Sequence, residues 1–418
     1  MMIESHKSGS SVSYSRRLRA LLPILAMSIA LGGCPSSGGP RFSRPKPKPT
    51  ATPTSTPTST PTATPTATIA PTPTETPTVT PTATPTPSLT GGLWVPNLFG
   101  PSVNEFDQAR RVTSGNPDPQ FTNESAELLL PAAAIFDSSQ NLWVNNCSDA
   151  VLGAGAITEF TSAQLAQLGS NPAPVPNTTL TDDGSFKDLH CPWGAQFDSA
   201  GNLWVSNRLT PNLVSFTPAQ LGAGGNQTPN TIITSTSFAD LRAIAFDAGA
   251  NLWLVENSNN KILGYKAATR ATALGHSGQV NPDIVISSSS LNDPRALAFD
   301  GSGNLWASTG TNSQLLKFAA ASLGASGTLT PTVILSATTV VTLDGTANSL
   351  DFPEGLAFDT SGNLWVSNLI SDNAGSIAEF TPAQLAASGS PSPAVFLDSD
   401  EFGINIHQPT LLTFGPIP

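Results

Sequence analysis

One sequence pattern recurs along the chain and restricts its fold more than any other feature. Its clearest copy is the segment 355–368, which reads GLAFDTSGNLWVSN, and every copy contains a Leu-Trp pair. The six Leu-Trp pairs lie 49 to 61 residues apart. A repeat of this size provides four short strands per unit, which is typical of a β-propeller blade. The copies are the segments 92–97, 133–146, 194–207, 243–257, 296–309 and 355–368.

Each full copy has the pattern of a β-hairpin. In the copy at 355–368, the large Leu356 and Phe358 alternate with Gly355 and Ala357, as expected for a strand with one bulky and one flat face. The Asp-Thr-Ser-Gly-Asn segment that follows suits a tight turn, because an aspartate can bond its own backbone and glycine accepts positive φ. The strand that carries the tryptophan should therefore run back antiparallel.

Two further strands complete each unit. A third strand ends in an aromatic residue, for example Phe216, and a fourth begins at a proline, for example Pro229. Between these strands, Thr161, Thr217 and Thr381 are each predicted as the N-cap of a short helix.

The two ends of the repeat region complement each other. The first copy has no strand before its Leu-Trp pair, whereas the segment 408–415 aligns with the first strand of the other copies. This segment is predicted to complete the first blade. The expected fold is an all-β, six-bladed β-propeller of four-stranded blades, closed by the C-terminal strand.

The N-terminal segment has the features of a bacterial lipoprotein leader. Three arginines between positions 16 and 19 precede an apolar run at 20–31, which is too short to span a membrane. The run ends in Leu-Gly-Gly-Cys34, which resembles a lipobox. We therefore expect residues 1–33 to be a signal peptide and Cys34 to be the lipidated first residue.

Residues 34–90 are expected to form a stalk. They consist mainly of Pro, Thr, Ser and Ala and cannot form a core, and their frequent prolines favour an extended chain. The predicted domains are thus a signal peptide at 1–33, a lipidated stalk at 34–90 and the propeller at 91–418. Because no aspartate follows Cys34, we expect an exported protein at the outer membrane or cell surface of the envelope.

The propeller segment is strongly acidic. Residues 91–418 contain 10 Lys and Arg against 27 Asp and Glu, a net charge of −17. Nucleic-acid binding needs a basic surface, so that function is disfavoured. The solubility of an exported domain explains the acidity equally well, and a monomer is expected.

The repeat resembles the NHL repeat, in which a small residue and an apolar strand precede Asp, a Gly-Asn turn and an aromatic strand. The resemblance covers residues 91–418, and the Gly-Asn-Leu-Trp sequence is also similar to streptogramin-lyase-type propellers. The resemblance implies a propeller but leaves the function open. Related propellers bind proteins, nucleic acid or sugars, or act as lyases and lactonases.

The two cysteines of the repeat region lie where neighbouring blades should meet. Cys147 follows a tryptophan strand, and Cys191 precedes the first strand of the next unit. Since both loops belong to the same face of a propeller, a disulfide between neighbouring blades is predicted. Two free, buried thiols are the alternative.

Polar side chains are predicted to surround the mouth of the central channel. They occupy the position directly after the proline, or its equivalent, at the start of each first strand. These residues are Trp193, Arg242, Arg295, Glu354 and Thr410.

Arg242 and Arg295 belong to consecutive blades and suit an anionic ligand such as a carboxylate, a phosphate or an acidic sugar. Trp193, Glu354 and Asn292 are the other predicted ligand contacts at this mouth. Pairing of both arginines with neighbouring carboxylates is the alternative.

Two histidines share one repeat position, two residues before the proline. Together with Asp351, His190 and His407 could hold a divalent metal that supports lyase or lactonase chemistry. A divalent metal is the one cofactor that the sequence suggests. Against it, the two histidines belong to blades that are not adjacent, and no strong metal-binding motif surrounds them.

These features predict a surface-anchored lipoprotein that acts as a binding or interaction module for an unidentified ligand, either a carbohydrate or a protein partner. The lipid anchor is its predicted membrane contact. An extracellular lyase or lactonase with a site at the channel mouth is the alternative, and a structural surface protein is a third hypothesis. A broad apolar patch on one face would favour a protein partner.

Overall fold

The computed structural model describes residues 91–147, 155–167, 174–182, 188–342, 345–370, 374–399 and 406–416. The predicted signal peptide at 1–33 and stalk at 34–90, with Cys34, lie outside the described residues. The described ranges form a six-bladed β-propeller, as predicted. Among them, no helix is both long enough and apolar enough to cross a membrane.

Each blade is an antiparallel sheet whose strands we call inner, second, third and outer, from the channel axis to the rim. Blade 1 contains Thr413–Gly415, Gly92–Asn97, Ser102–Phe106 and Phe121–Asn123. Blade 2 contains Pro131–Phe136, Leu142–Asn146, Ala156–Phe160 and Thr178–Thr181. Blade 3 contains Pro192–Phe197, Leu203–Asn207, Asn212–Phe216 and Thr231–Thr234. Blade 4 contains Leu241–Phe246, Leu252–Glu256, Lys261–Tyr265 and Ile284–Ser287. Blade 5 contains Pro294–Phe299, Leu305–Thr309, Gln314–Phe318 and Val333–Ser336. Blade 6 contains Pro353–Phe358, Leu364–Leu369, Gly375–Phe380 and Val395–Asp398.

The turn between inner and second strands is held by its aspartate. In blade 6, Asp359 Oδ1 accepts the backbone N–H groups of Ser361 and Asn363, both at 2.9 Å. Asp359 Oδ2 accepts the indole N–H of Trp365 at 3.1 Å. This arrangement confirms that the recurring aspartate bonds its own hairpin. The equivalent residues are Asp137, Asp198, Asp247 and Asp300.

The recurring tryptophans join neighbouring blades. All six are buried, from 0 to 3% exposed. Five of them pack edge-on against the phenylalanine that ends the inner strand of the next blade, with ring centroids 5.4 to 6.5 Å apart. These contacts place the repeated tryptophans in the core between neighbouring blades.

Short helices connect the third and outer strands, on the face opposite the mouth. Thr161 and Thr217 cap helices through capping boxes with Gln164 and Gln220, as predicted. The prediction for Thr381 is wrong, because its segment forms only a 3-10 turn. The α-helices are Gln108–Arg111, Ser162–Leu165, Pro218–Ala223 and Ala267–Ala273, and the 3-10 helices are Ala320–Ser322 and Gln384–Ala386.

The rim of the propeller is extended by short strands that one blade adds to the sheet of the preceding blade. Gly225–Asn226, Ser277–Gln279 and Gly327–Thr328 add a parallel strand to the outer strands of blades 2, 3 and 4, respectively. These three blades therefore have five strands where four were predicted. Blades 5 and 6 each receive a single bridge from the next blade, at Gly389 and Gly115. A hairpin of Thr339–Thr342 and Gly345–Asn348, which was not predicted, lies between the outer strand of blade 5 and the inner strand of blade 6.

Blades 6 and 1 close the ring through two sets of backbone hydrogen bonds, one near the channel axis and one at the rim. At the axis, Thr413–Gly415 pairs antiparallel with Gly92–Asn97, which confirms the predicted closure. At the rim, Gly115 of blade 1 donates its N–H to Phe396 O at 2.9 Å and accepts from Asp398 N at 2.8 Å. Each end of the ring therefore supplies a segment to the other.

Small residues allow the inner strands to approach one another around the channel. A Cβ atom on Gly355 would lie 2.3 Å from Thr410 O, and one on Gly194 would lie 2.6 Å from Arg242 O. Away from the mouth, the channel encloses a cavity of about 240 Å³ that is lined mostly by alanine, leucine, isoleucine and phenylalanine. Among the described residues, no charged side chain lines this cavity.

Candidate functional site

The mouth side chains are positioned by a β-bulge at the start of the inner strand. In blades 2 to 6, the register with the second strand shifts within the first three or four residues of the inner strand. Such a bulge re-aims the side chain next to it. The side chains at this position are Thr410, Ala132, Trp193, Arg242, Arg295 and Glu354, in order from blade 1 to blade 6.

The backbone before the bulge is left-handed in four blades. Cys191, Asp293, Phe352 and Gln408 have φ between 47° and 56°, and each precedes the proline of an inner strand. A non-glycine residue in this region stores strain of about 1 kcal/mol or more. Because this left-handed conformation recurs at one repeat position, the strain is a feature of the turn that leads into these inner strands.

Neighbouring blades fix the backbone of the mouth residues. Ser206 Oγ donates to Arg242 O at 2.5 Å, and Ser367 Oγ donates to Thr410 O at 2.7 Å. Asn145 Nδ2 donates to Trp193 O at 3.3 Å. Each donor lies on the second strand of the preceding blade, so the backbone at these three mouth positions is bonded to a neighbouring blade.

Six charged side chains form a continuous alternating series, which we call the mouth ion chain. Its order is Arg208, Asp240, Arg242, Glu354, Arg295 and Asp293. The N···O distances are 3.3 Å for Arg208 to Asp240, 3.2 Å for Asp240 to Arg242 and 3.5 Å for Arg242 to Glu354. Glu354 also bonds Arg295, which pairs with Asp293 at 2.8 Å. The chain links blades 3, 4, 6 and 5.

Glu354 is the centre of this chain. It is 1% exposed and contacts both Arg242 and Arg295. Burial acts to lower the pKa of Arg295, but the carboxylates of Glu354 and Asp293 outweigh it and raise that pKa. With three cations and three anions, the chain is balanced. The pairing that the sequence left as an alternative is therefore the arrangement of Arg242 and Arg295 in this structure.

Trp193 lies under two arginines rather than open to solvent. It is 3% exposed, and the guanidinium carbons of Arg208 and Arg242 each lie 5.0 Å from its ring centroid. Burial, followed by the charge of Arg242, lowers the pKa of Arg208. Among the described residues, no group accepts a hydrogen bond from the buried Trp193 Nε1. The ring of this predicted ligand contact is thus covered by the protein's own cations.

The mouth also contains an apolar cluster, formed by residues of blades 2 and 3. Cys147 and Cys191 form a disulfide between blades 2 and 3, as predicted. The disulfide packs with Ala132 and Trp193 in one buried cluster. The mouth ion chain borders this cluster, because Arg208 and Arg242 lie over the ring of Trp193.

The predicted metal ligands do not form a cluster. Asn207, Asn97 and Asn368 accept the backbone N–H groups of His190, His407 and Asp351, respectively, so the three occupy one repeat position in blades 3, 1 and 6. In the part of the chain that the structure describes, no three His, Cys, Asp or Glu side chains lie close enough to hold a metal ion.

The side chains of the remaining predicted residues have local roles. His190 Nδ1 lies 2.8 Å from Thr210 Oγ1, and burial raises the pKa of Asp351. Asn292 Nδ2 donates to Asn312 Oδ1 at 3.3 Å, on the outside of blade 5.

Two buried arginines that sequence reasoning missed connect blades on the opposite face. Arg270 pairs with Asp198 at 2.9 Å, and its guanidinium carbon lies 5.6 Å from the ring of Trp204. Arg111 lies 5.5 Å from the ring of Trp365. Both occupy the helix position at which other blades carry a buried leucine, such as Leu221. An alignment of the helix turns would have shown these two exceptions.

The comparisons with known proteins describe the fold alone. No family model and no curated protein matches the chain. A solved structure of a protein of unknown function from Bacteroides caccae has a TM-score of 0.52 at 9% identity and covers 77% of this chain and 98% of its own. A nidogen/laminin complex structure has a TM-score of 0.45 at 13% identity, covering 78% and 98%. A streptogramin B lyase structure has a TM-score of 0.40 at 12% identity, covering 66% and 86%.

Proposed function

We propose that the protein is an exported, lipid-anchored binding module that docks a protein partner on the mouth face of its propeller. The supporting observation is where exposed apolar side chains lie. Of the seven large hydrophobic residues that are exposed among the described ranges, five belong to loops of the mouth face. These are Phe99, Leu129, Leu209, Val341 and Phe352, which are 37 to 84% exposed.

Three of the five surround the apolar cluster of the mouth. Phe99 lies in the loop between the second and third strands of blade 1, and Leu209 lies in the same loop of blade 3. Leu129 lies two residues before the inner strand of blade 2. An exposed apolar group of this kind, beside a polar region, is typical of a protein interaction surface.

The mouth ion chain supplies orientation to such a partner. Its charges are already paired and its backbone is fixed, so little ordering is needed on binding. A lyase or lactonase site at this mouth would need a free general acid and base or a bound metal. Within the described ranges, the acidic and arginine residues that meet at the mouth are paired with one another.

The proposal of a lipid anchor rests on the leader sequence and on Cys34. It is tested by following incorporation of labelled palmitate into the full chain and into the Cys34→Ala variant. Label in the wild-type chain that is lost in the variant supports anchoring, whereas an unlabelled wild-type chain refutes it.

The proposed docking face is tested by site-specific photo-crosslinking in intact cells. A photoreactive amino acid at Leu209 or Phe99 is compared with the same group at Val112 or Val175, which are equally apolar but lie away from the mouth face. We expect one discrete adduct from the mouth positions only. Adducts of equal yield from both sets, or none from the mouth positions, would refute the proposal.

A further inference from the structure

A cleft lies between blades 2 and 3, on the face opposite the mouth. It is lined by the same kinds of residue that surround two buried arginines elsewhere in this protein, but the described residues of its own lining include no arginine. It has a volume of about 570 Å³. Besides Asp198, which already pairs with Arg270, two aromatic rings, two carboxylates and a leucine line it. These residues are Trp143, Phe197, Asp137, Glu159 and Leu221.

Equivalent residues of other blades surround a guanidinium group elsewhere in this molecule. Between blades 3 and 4, Arg270 lies 5.6 Å from the ring of Trp204 and 5.0 Å from that of Phe246, and it pairs with Asp198. The tryptophan and aspartate come from one blade and the phenylalanine from the next. Trp143, Asp137 and Phe197 occupy the equivalent positions around the cleft, where the two rings are 6.1 Å apart.

A second occupied site lies between blades 6 and 1. The guanidinium carbon of Arg111 is 5.5 Å from the ring of Trp365 and 5.1 Å from that of Phe414. Glu379 of blade 6 stands opposite Trp365 on the third strand, as Glu159 stands opposite Trp143 in blade 2. The cleft thus matches this second site in its carboxylates as well as in its rings.

The helix residue explains why the cleft is open. Arg111 and Arg270 occupy the fourth position after the helix N-cap, and Leu221 occupies that position in blade 3. Leucine packs into the core but cannot neutralise a carboxylate. Glu159 is 7% exposed, with Oε2 held by Asn177 Nδ2 at 2.7 Å, and no cation among the described residues pairs with it or with Asp137.

We infer that this cleft binds a guanidinium group, that of an arginine side chain in a partner polypeptide. The guanidinium would lie against the rings of Trp143 and Phe197, which pack edge-on as Trp365 and Phe414 do beside Arg111, and would pair with Asp137 and Glu159. Planar cations of this type stack on aromatic faces and bind carboxylates with two parallel hydrogen bonds. The site is separate from the mouth and does not depend on the function proposed for it.

The test is a titration of the purified full chain with Nα-acetyl-arginine amide, followed by calorimetry at low salt. Nα-acetyl-citrulline amide is the neutral control of the same shape, and Nα-acetyl-lysine amide carries the same charge without the planar group. We expect binding of the arginine derivative and at least tenfold weaker binding of the other two. Equal binding of citrulline overturns the inference, as does failure of arginine to bind. Equal binding of lysine overturns the assignment to guanidinium.

Two variants locate the binding. Leu221→Arg supplies the missing guanidinium from the protein's own helix and should abolish titration. Glu159→Gln keeps the side-chain shape and should weaken arginine binding about tenfold, which tests the site even if the Leu221 variant does not fold. Glu124→Gln removes an equal charge from an exposed site near the mouth face and should leave binding unchanged. Unchanged affinity in Glu159→Gln would place the ligand elsewhere and overturn the inference.

Discussion

Replacement of Glu354 by glutamine should destabilise the propeller more than any other single charge removal at the mouth. Glu354 is 1% exposed and is the carboxylate that Arg242 and Arg295 share. Glutamine preserves its size and one acceptor oxygen, so the change removes charge and little else. Two buried guanidinium groups then lose their common partner.

The expected loss of stability depends on the carboxylate partner that each arginine retains. Removing one member of a buried ion pair costs about 3 to 5 kcal/mol. Arg242 keeps Asp240 at 3.2 Å and Arg295 keeps Asp293 at 2.8 Å, which places the expected loss at the lower end. We therefore expect a loss of about 3 kcal/mol in the free energy of unfolding, or a fall of roughly 5 °C in Tm for a domain of this size.

The assay is equilibrium unfolding in guanidinium chloride, followed in parallel by tryptophan fluorescence and circular dichroism. A double-mutant cycle with Arg295→Met isolates the interaction, and Glu124→Gln is the exposed control that removes an equal charge. The double variant should be more stable than the sum of the single losses predicts. A loss below about 1 kcal/mol, or single effects that simply add, would refute the view that Glu354 holds the ion chain together.

Three further predictions concern the rest of the ring. Burial raises the pKa of Glu105 to about 7 from 4.5, so the folded state retains a proton that the unfolded chain has lost between these values. The contribution of Glu105 to stability should therefore fall as pH rises from 4.5 to 7. Glu105→Gln should flatten that part of a plot of Tm against pH, and an unchanged plot would contradict the burial argument. The Cys147 to Cys191 bridge spans 44 residues, and replacing both cysteines by serine should cost about 4 kcal/mol from loop entropy. Reduction of the wild-type chain should lower Tm to the same extent, and equal Tm values before and after reduction would contradict this. Gly355→Ala would place a Cβ atom 2.3 Å from Thr410 O and should cost about 2 kcal/mol or more in chemical unfolding, whereas an unchanged midpoint would show that the inner strands can separate freely.

The fold could be predicted because its information is local and repeated. Each full unit repeats the alternation seen at Leu356 and Phe358, the aspartate turn and the tryptophan strand. The strands of an ambiguous copy can therefore be assigned by comparison with the other copies. The strands added at the rim left no such signal. Segments such as Gly225–Asn226 pair through backbone groups only, and backbone pairing does not require particular side chains.

The mouth residues were predicted by aligning the repeats, and pairing of Arg242 and Arg295 with neighbouring carboxylates was the alternative to a bound ligand. Arg242 and Glu354 belong to blades that are not adjacent, and only the bulges at the inner strands bring their side chains together. The metal hypothesis shows the opposite difficulty. His190 and His407 share a repeat position, yet among the described residues they form no cluster of metal ligands with Asp351. Repeat equivalence therefore predicts a common face, whereas proximity depends on side-chain length and direction.

The double closure between blades 6 and 1 has a mechanical consequence. Force applied at Gly91 loads the strand Gly92–Asn97, which is not an edge strand, because Thr413–Gly415 flanks it on one side and Ser102–Phe106 on the other. It cannot be unzipped one hydrogen bond at a time and must slide past two neighbours at once. Arg111 adds a further restraint, since its Nη2 donates to Gly91 O at 2.5 Å while its guanidinium rests against blade 6. Force on Gly91 along this strand therefore loads the hydrogen bonds to both neighbouring strands in shear.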